Sequence, residues 1–255
     1  MSMFKKLFLL LGVIFIMQSC VSKKDIHYYQ DIEKNSQSTI NYVSNEVQVN
    51  DILYIKVDAL VPDSAKPFNI DINSAMSFDL DAFKVQSFLV VQDGTITFPI
   101  LGVIKVSGKS TTELQTLFSK MLNDKGYIRD ANVNIRVINS KVTVIGEVNR
   151  PGTYSFSEQN ISLNQAIGYA GDLTINGKRK DVLLIRENNG IRTYTKLDLT
   201  SSSWFSGPYY YVKQNDVIIV NPNGARVMAS GYFVNITNVL AVLSFGISLA
   251  ILLTN

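Results

Sequence analysis

Residues 87–98 read Ser-Phe-Leu-Val-Val-Gln-Asp-Gly-Thr-Ile-Thr-Phe, with Asp93-Gly94 between two β-rich runs. This arrangement predicts a hairpin, because glycine takes the positive φ of a tight turn at little cost. Downstream, Ser110-Thr-Thr-Glu113 carries the residues of a capping box, and apolar residues follow it at helical spacing. With alternating strand patterns at 51–58 and 132–138, these signals predict one small α+β unit.

The same order of patterns returns in the second half of the chain. Lys141-Val-Thr-Val-Ile145 alternates like a half-buried strand, and Ser162-Leu-Asn-Gln165 is a second capping box. Further strand patterns follow at 182–186, 192–196 and 216–220. The predicted fold class is therefore α+β, with two successive small β-grasp-like domains at 46–139 and 140–222 and a transmembrane helix after them.

Glycines and one proline mark the turns of both units. Gly94 and Gly146 stand at bends, and Gly171 is placed to end the second helix in a left-handed cap. The Arg-Pro-Gly-Thr stretch at 150–153 has the chemistry of a type II turn. There Pro151 presets φ at the first central position, and Gly152 takes the positive φ at the second. All five residues are expected to be structural.

Both ends of the chain carry membrane signals. No charged residue occurs from Val227 to Asn255. Residues 233–253 are apolar enough to lie in lipid and rise roughly 31 Å as a helix, so they predict a transmembrane helix joined by a linker at 223–232. At the other end, Lys5-Lys6 precede a short apolar run, so residues 1–19 are interpreted as a signal peptide.

Cys20 is the chain's only cysteine and directly follows that apolar run. Its position resembles that of the lipidated cysteine in a bacterial lipobox. This predicts a lipid anchor at Cys20 and a polar, lipidated tether over 20–45. The alternative, an incidental cysteine in an uncleaved anchor, stays open. An intrachain disulfide is excluded.

The composition excludes several classes of function. The formal net charge is +3 without a basic face, so no nucleic-acid partner is predicted. One histidine and one cysteine are too few for a zinc site or for a Cys/His nucleophile pair. No catalytic residues, no metal and no cofactor are predicted, and we expect the protein not to be an enzyme.

Three stretches of the chain resemble known domains. Val49–Val57 resembles the opening motif of the polysaccharide export domain, and Phe88–Gly102 with Val106–Leu114 resembles its central signature. Val144–Tyr154, together with Ala166–Gly171, resembles the SLBB (soluble ligand binding β-grasp) domain. In this order, the motifs make the chain similar to the Wza-type outer-membrane polysaccharide export lipoproteins. It differs in having one recognisable SLBB unit where the best-known members carry two.

The resemblance implies a homo-oligomeric ring of eight subunits that exports capsular or extracellular polysaccharide from the periplasm to the cell surface. It also implies an inner-membrane partner of the chain-length or co-polymerase type. The folded domains are expected in the periplasm, lipid-anchored at the outer membrane. Two alternatives stay open. One is an envelope lipoprotein that binds glycan or scaffolds an export complex without a pore, and the other is an inner-membrane protein with an uncleaved anchor.

Two groups of residues have more than one interpretation. Thr237, Ala241, Ser244 and Ser248 share one face of the C-terminal helix. Such small and hydroxyl residues either face a pore or allow close contact between helices, and a simple anchor also stays open. The aromatic stretch Tyr209–Tyr211 is either a sugar-stacking platform or part of a core or subunit contact.

Overall fold

The structure, a computed structural model, describes residues 23–35, 37, 42, 44–69, 80–188, 190–230 and 236–254. It contains two separate hydrophobic cores, one between Val47 and Ile135 and the other between Val142 and Val220. The predicted α+β class is confirmed. We call residues 46–139 the first unit and residues 140–222 the second unit.

The first unit packs one long helix against a small sheet. Its elements are β1 (Ile52–Asp58), α1 (Pro62–Ala65), a 3-10 turn (Lys66–Phe68), α2 (Leu80–Gln86), β2 (Phe88–Leu89), β3 (Thr95–Phe98), β4 (Gly102–Lys105), α3 (Thr111–Asp124) and β5 (Asn132–Val137). β1 lies between β2 and β5 and is antiparallel to both, while β3 pairs with β4. Leu114, Phe118 and Leu122 are fully buried, because four-residue spacing keeps them on one face of α3.

The hairpin predicted across Asp93-Gly94 forms only next to the turn, where the Val91 N–H donates to the Thr95 carbonyl at 3.0 Å. The turn itself forms, since Gly94 has φ +76° and its N–H donates to the Val91 carbonyl at 2.8 Å. The Gly94 carbonyl accepts hydrogen bonds from the N–H groups of Val106 and Ser107. The chain after the turn is therefore held to the segment that ends β4. As a result β3 pairs with β4, and β2 pairs with β1.

The second unit is built on a mixed five-stranded sheet. Its elements are β6 (Lys141–Gly146), β7 (Gly152–Ser155), β8 (Ile161–Ser162), α4 (Leu163–Tyr169), β9 (Gly177–Asn188), β10 (Ile191–Leu197), β11 (Tyr211–Val212) and β12 (Val217–Pro222). The strand order is β10-β9-β12-β6-β7, in which β12 and β6 run parallel and the other neighbours run antiparallel. β8 and β11 form a separate pair beside α4.

Both predicted capping boxes are confirmed. At α3, the Glu113 N–H donates to Ser110 Oγ at 3.2 Å and the Ser110 N–H donates to Glu113 Oε2 at 2.7 Å. At α4, the Gln165 N–H donates to Ser162 Oγ at 3.2 Å and the Ser162 N–H donates to Gln165 Oε1 at 2.7 Å. Each box satisfies two N–H groups that have no partner within the helix.

The type II turn predicted at 150–153 is wrong. Gly152 does not have positive φ, and it begins β7 as the partner of Val144. The left-handed residue stands instead at Gly146, with φ +94°, where β6 ends. From there the chain forms a longer loop through Pro151 to the start of β7. The N–H of Arg150 donates to the Ala170 carbonyl at 2.8 Å and holds this loop against the end of α4. Gly171 has φ +72° at the end of α4.

Two helices follow the second unit, α5 (Gly224–Ala229) and α6 (Ile236–Thr254). The transmembrane helix predicted at 233–253 is not supported: within the residues described, no helix has the length and apolar character needed to cross a membrane. The 19 residues of α6 rise about 28 Å, against roughly 30 Å for a hydrocarbon core. Several large apolar side chains of α6 are exposed, among them Val242, Phe245 and Leu252.

Part of the predicted tether at 20–45 is docked on the second unit. This segment contains two 3-10 turns, Lys23–Asp25 and Ile32–Asn35. Between them, the N–H of Tyr29 donates to the Leu199 carbonyl at 3.2 Å and that of Gln30 to the Thr200 carbonyl at 2.7 Å. Asp31 accepts a hydrogen bond from the Ser201 hydroxyl at 2.7 Å. Residues 29–31 of this segment are therefore bonded to the second unit.

The two ends of the folded region meet at one end of the second unit. Asp25 lines a cavity of about 340 Å³ together with residues 177–180 at the start of β9 and 223–225 at the start of α5. The Lys180 ammonium pairs with the Asp25 carboxylate at 2.7 Å. The docked N-terminal segment and the chain leading to α6 thus leave the second unit side by side.

Candidate functional site

A polar cleft of about 310 Å³ lies between the two units. One wall comes from the first turn of α3 and from β5 of the first unit. The opposite wall is the loop 157–160, which precedes β8 in the second unit. The cleft is therefore built by both units together, and neither forms it alone.

The floor of the cleft is a hydrogen-bonded chain that joins the units. The Gln214 side-chain amide donates to Asp51 Oδ1 at 2.6 Å, and the Gln48 N–H donates to Asp51 Oδ2 at 2.9 Å. The Ser140 hydroxyl donates to Gln214 Oε1 at 3.3 Å. Burial raises the pKa of Asp51 to about 6, and the Gln48 hydrogen bond opposes that rise. The carboxylate thus ties the first unit to the second at a titratable position.

The walls offer both hydrogen-bond donors and acceptors. Asn134 and Arg136 alternate with buried neighbours on β5, so both side chains are exposed on the cleft side. Within the part of the chain that the structure describes, Arg136 forms no ion pair. Thr111 and Thr112 contribute hydroxyls from α3. Amides, hydroxyls and a guanidinium together can orient a ligand rich in hydroxyl groups.

A stacked pair of tyrosines lies close in sequence to residues that line the cleft. The rings of Tyr42 and Tyr211 have centroids 5.5 Å apart and planes inclined by 27°. Tyr42 is 75% exposed. It precedes the cleft residue Ser44 by two positions, and Tyr211 precedes the cleft residue Gln214 by three. The pair therefore presents an open aromatic face only two to three residues along the chain from residues that line the cleft.

The predicted aromatic stretch divides into two parts. Trp204 is buried, and Tyr209 and Tyr210 pack against the core of the second unit. For Tyr209 and Tyr210 the core interpretation is correct. Tyr211 differs, because it lies in β11 beneath Tyr42. Tyr42 itself gave no signal in the sequence, since it is an isolated aromatic residue in a polar stretch.

A buried ion pair fixes the segment that carries Tyr211. Arg186 Nη2 donates to Asp216 Oδ2 at 2.7 Å and to the Tyr211 carbonyl at 2.9 Å, and Nη1 donates to the Pro208 carbonyl at 3.2 Å. Burial raises the pKa of the Asp216 carboxyl, and the Arg186 guanidinium opposes that rise. The sequence contains no local signal for this pair, because its partners lie on β9 and just before β12.

The residues singled out in the sequence do not form one site. The turn residues Gly94, Gly146, Pro151, Gly152 and Gly171 are spread over both units, and none of them lines the cleft. Cys20 lies outside the described residues. In the described part of the chain, no group of three His, Cys, Asp or Glu residues is arranged to hold a metal.

The proposed pore-facing positions all fall on α6, the helix after the second unit. The Ser244 hydroxyl donates to the Ala241 carbonyl at 2.9 Å, and the Ser248 hydroxyl donates to the Ser244 carbonyl at 2.9 Å. Ala241, Ser244 and Ser248 are exposed, as are the large apolar residues around them. Exposure therefore does not distinguish this face of the helix, and the pore-facing role of Thr237 and its three partners stays a prediction.

Comparison with protein families defines the class of this chain. Residues 41–138 match the family of polysaccharide biosynthesis/export proteins, and residues 141–194 match the SLBB domain. The chain thus carries a polysaccharide export domain followed by an SLBB domain. The resemblance to the Wza-type export proteins is confirmed.

Two curated relatives bear the same name. The chain is 32% identical over 118 residues to the EPS I polysaccharide export outer membrane protein EpsA of Ralstonia nicotianae, a match that covers 43% of this chain and 30% of the relative. It is 30% identical over 95 residues to the protein of that name in Ralstonia solanacearum, covering 36% of this chain and 25% of the relative. The matched part of the chain therefore spans less than a third of the length of these relatives.

Proposed function

We propose that this protein is a subunit of an oligomeric outer-membrane channel that exports capsular or extracellular polysaccharide from the periplasm to the cell surface. The proposal rests on one observation above all, the two family matches in the order export domain and then SLBB domain. The name of the relatives, polysaccharide export outer membrane protein, supports the same cargo and the same membrane. The partner that hands over the polymer would be an inner-membrane chain-length or co-polymerase protein.

The remaining parts of the proposal concern attachment and assembly. Lipidation of Cys20 would anchor the chain, and the domains at 46–139 and 140–222 would lie in the periplasm. The exposed apolar side chains of α6 need an apolar environment, so we assign outer-membrane contact to this helix. A ring of identical subunits, eight by the family resemblance, would surround the conduit.

Deletion of the gene tests the export function. We expect surface polysaccharide to fall and polymer to accumulate in the periplasm, and the full-length chain supplied in trans should restore export. Unchanged surface polysaccharide in the deletion strain would contradict the proposal. An Arg192→Met variant, altered at an exposed ion pair, serves as the control that should restore export fully.

The mass of the native protein extracted from membranes tests attachment and assembly. A ring predicts a multiple of the subunit mass, and lipidation predicts added acyl mass that a Cys20→Ser variant lacks. A lipidated monomer would instead favour the alternative function, an envelope lipoprotein that binds glycan or scaffolds an export complex. The polar cleft is the observation that supports this second candidate function.

A further inference from the structure

We propose that the cleft between the two units, with the Tyr42–Tyr211 pair beside it, is a binding subsite for a neutral, hydroxyl-rich saccharide segment. This inference rests on the proposed export function, because the segment would belong to the exported polymer. It goes further by assigning the contact to one place in the fold. Domain interfaces are common positions for ligand sites, and about 310 Å³ lies at the small end of the usual range.

The floor of the cleft favours a site that is formed before the ligand arrives. Both Asp51 carboxylate oxygens accept hydrogen bonds, one from each side of the junction, and Gln214 is held by Ser140. These buried polar groups are satisfied within the protein, so the floor does not need a ligand to hold its shape. The cleft therefore binds without a large cost of ordering.

The walls match the chemistry of sugar hydroxyls. A hydroxyl both donates and accepts, so it is best bound where amides, hydroxyls and charged groups alternate. Asn134 and Arg136 point from β5, and Thr112 is exposed at the start of α3. Arg136 supplies a rigid set of donors that two adjacent hydroxyls can share.

The charge of the lining favours a neutral ligand over an anion. Glu46, Asp51 and Glu158 provide three carboxyl groups, while Arg136 is the only basic residue among the lining residues. A phosphate or a polyanion would meet more repulsion than attraction at such a surface. A neutral sugar uses carboxylates and amides alike as hydrogen-bond acceptors.

The tyrosine pair supplies the apolar contact that a polar cleft lacks. An exposed ring offers a flat face against the C–H groups of a sugar ring. Tyr42 is exposed, and Tyr211 beneath it is held through its carbonyl by the buried Arg186. The backbone under the lower ring is therefore held by the buried Arg186–Asp216 pair.

Binding to the purified full-length protein in detergent tests this inference. The probe is a set of short oligosaccharides made by partial hydrolysis of the polysaccharide that the source cell exports. Ligand-observed NMR and calorimetry should show binding to the wild type. Tyr42→Ala and Asn134→Ala should each weaken that binding by about fivefold or more, the loss that removal of one aromatic or hydrogen-bonding contact produces.

The matched control is Tyr194→Ala, which removes an exposed tyrosine from β10, away from the cleft. It should change binding by less than about twofold, the scale of a surface residue that touches no ligand. Equal binding by Tyr42→Ala, Asn134→Ala and the wild type would overturn the inference, as would absence of binding to the wild type. Melting temperatures of all three variants confirm that they are folded.

The two proposals fail in different ways. If the deletion strain loses export but the purified protein binds no oligosaccharide, the cleft inference is overturned and the export function stands. If the deletion strain exports normally, the export function falls. Tyr42-dependent binding of the oligosaccharides would then support a saccharide site that serves the alternative, glycan-binding function.

Discussion

The two units begin from the same pattern, a capped helix beside a small sheet, yet they are held together differently. Among the described residues, the buried polar side chains of the first unit are Asp51 and Ser110, whereas the second unit has eight. Those of the second unit include Arg186, Asp216 and Gln214. The first unit is closed by apolar packing, and the second unit uses specific polar bonds to fix long segments that lack regular structure.

The largest effect should come from the buried ion pair of the second unit. Arg186→Met leaves the Asp216 carboxylate buried without its partner and frees the carbonyls of Pro208 and Tyr211. We expect a loss of roughly 3–5 kcal/mol in the free energy of unfolding. Chemical denaturation of the full-length protein in detergent measures it. Hydrogen exchange should show the loss at β11 and β12 rather than at α3.

Arg192→Met is the matched control for that change. Arg192 on β10 pairs with Glu187 on the neighbouring strand β9, but both side chains are 58% exposed. Water screens such a pair, so its removal should cost about 1 kcal/mol or less. If the two variants lose the same stability, the second unit does not depend on its buried polar bonds, and the contrast between the units is wrong.

The next effect concerns Gly146, predicted to stand at a bend, and Gly152, wrongly predicted to take the positive φ of a type II turn. A Cβ at Gly146 would lie 2.1 Å from the Val220 carbonyl oxygen, and its φ of +94° is already unfavourable for other residues. Gly146→Ala should therefore cost roughly 3–4 kcal/mol, from backbone strain together with displacement of β12.

Gly152→Ala provides the comparison within the same loop. A Cβ there would meet only the Tyr154 ring and hydroxyl, from 3.6 Å, which is ordinary contact. We expect the melting temperature to change little, because alanine suits a strand at least as well as glycine does. A large drop for Gly152→Ala with a small one for Gly146→Ala would restore the type II turn that the structure does not show.

The sequence predicted correctly those features that depend on hydrogen bonds between residues close together in the chain. The capping boxes at Ser110 and Ser162 were predicted correctly, because donor and acceptor lie three residues apart. The hairpin at Asp93-Gly94 was predicted correctly only next to the turn, because the Gly94 carbonyl bonds to Val106 and Ser107, farther along the chain. A turn sequence fixes the bend, but the competition between distant strands decides which of them pair.

The cleft was beyond sequence reasoning for a related physical reason. It brings Asp51 and Gln214 into hydrogen-bonding contact across 163 positions of sequence. The residues concerned are common polar types without motif spacing. Burial makes them distinctive, and burial depends on how the two units pack. What distinguishes Tyr42 is that its ring stacks on Tyr211, a contact across 169 positions that no local pattern predicts.

The smallest effect should be a pH dependence at the junction of the units. The pKa of Asp51 is about 6 in the folded protein, against roughly 4 for an exposed aspartate. The folded state therefore binds this proton more tightly than the unfolded state does. The stability that results is present below about pH 4 and is lost as the pH rises through about 6. A shift of about two pKa units corresponds to at most about 3 kcal/mol.

An Asp51→Asn variant isolates this contribution. The free energy of unfolding of the wild type minus that of the variant should fall between about pH 4 and pH 7, since the variant has no proton to lose. Carboxyl groups with lowered pKa values, such as Asp93 and Glu113, are the same in both proteins and cancel in the difference. A difference that does not vary with pH would show that Asp51 does not titrate in this range.

The docking of the N-terminal segment has a mechanical consequence. The segment around Tyr29 and Gln30 is bonded to the second unit, and it leaves that unit beside the start of α5. Tension between the two chain ends therefore passes from one to the other through the second unit alone. The force does not pass through the first unit, although that unit lies between the two ends along the chain. The first unit comes under load only after the bonds of Tyr29, Gln30 and Asp31 have broken.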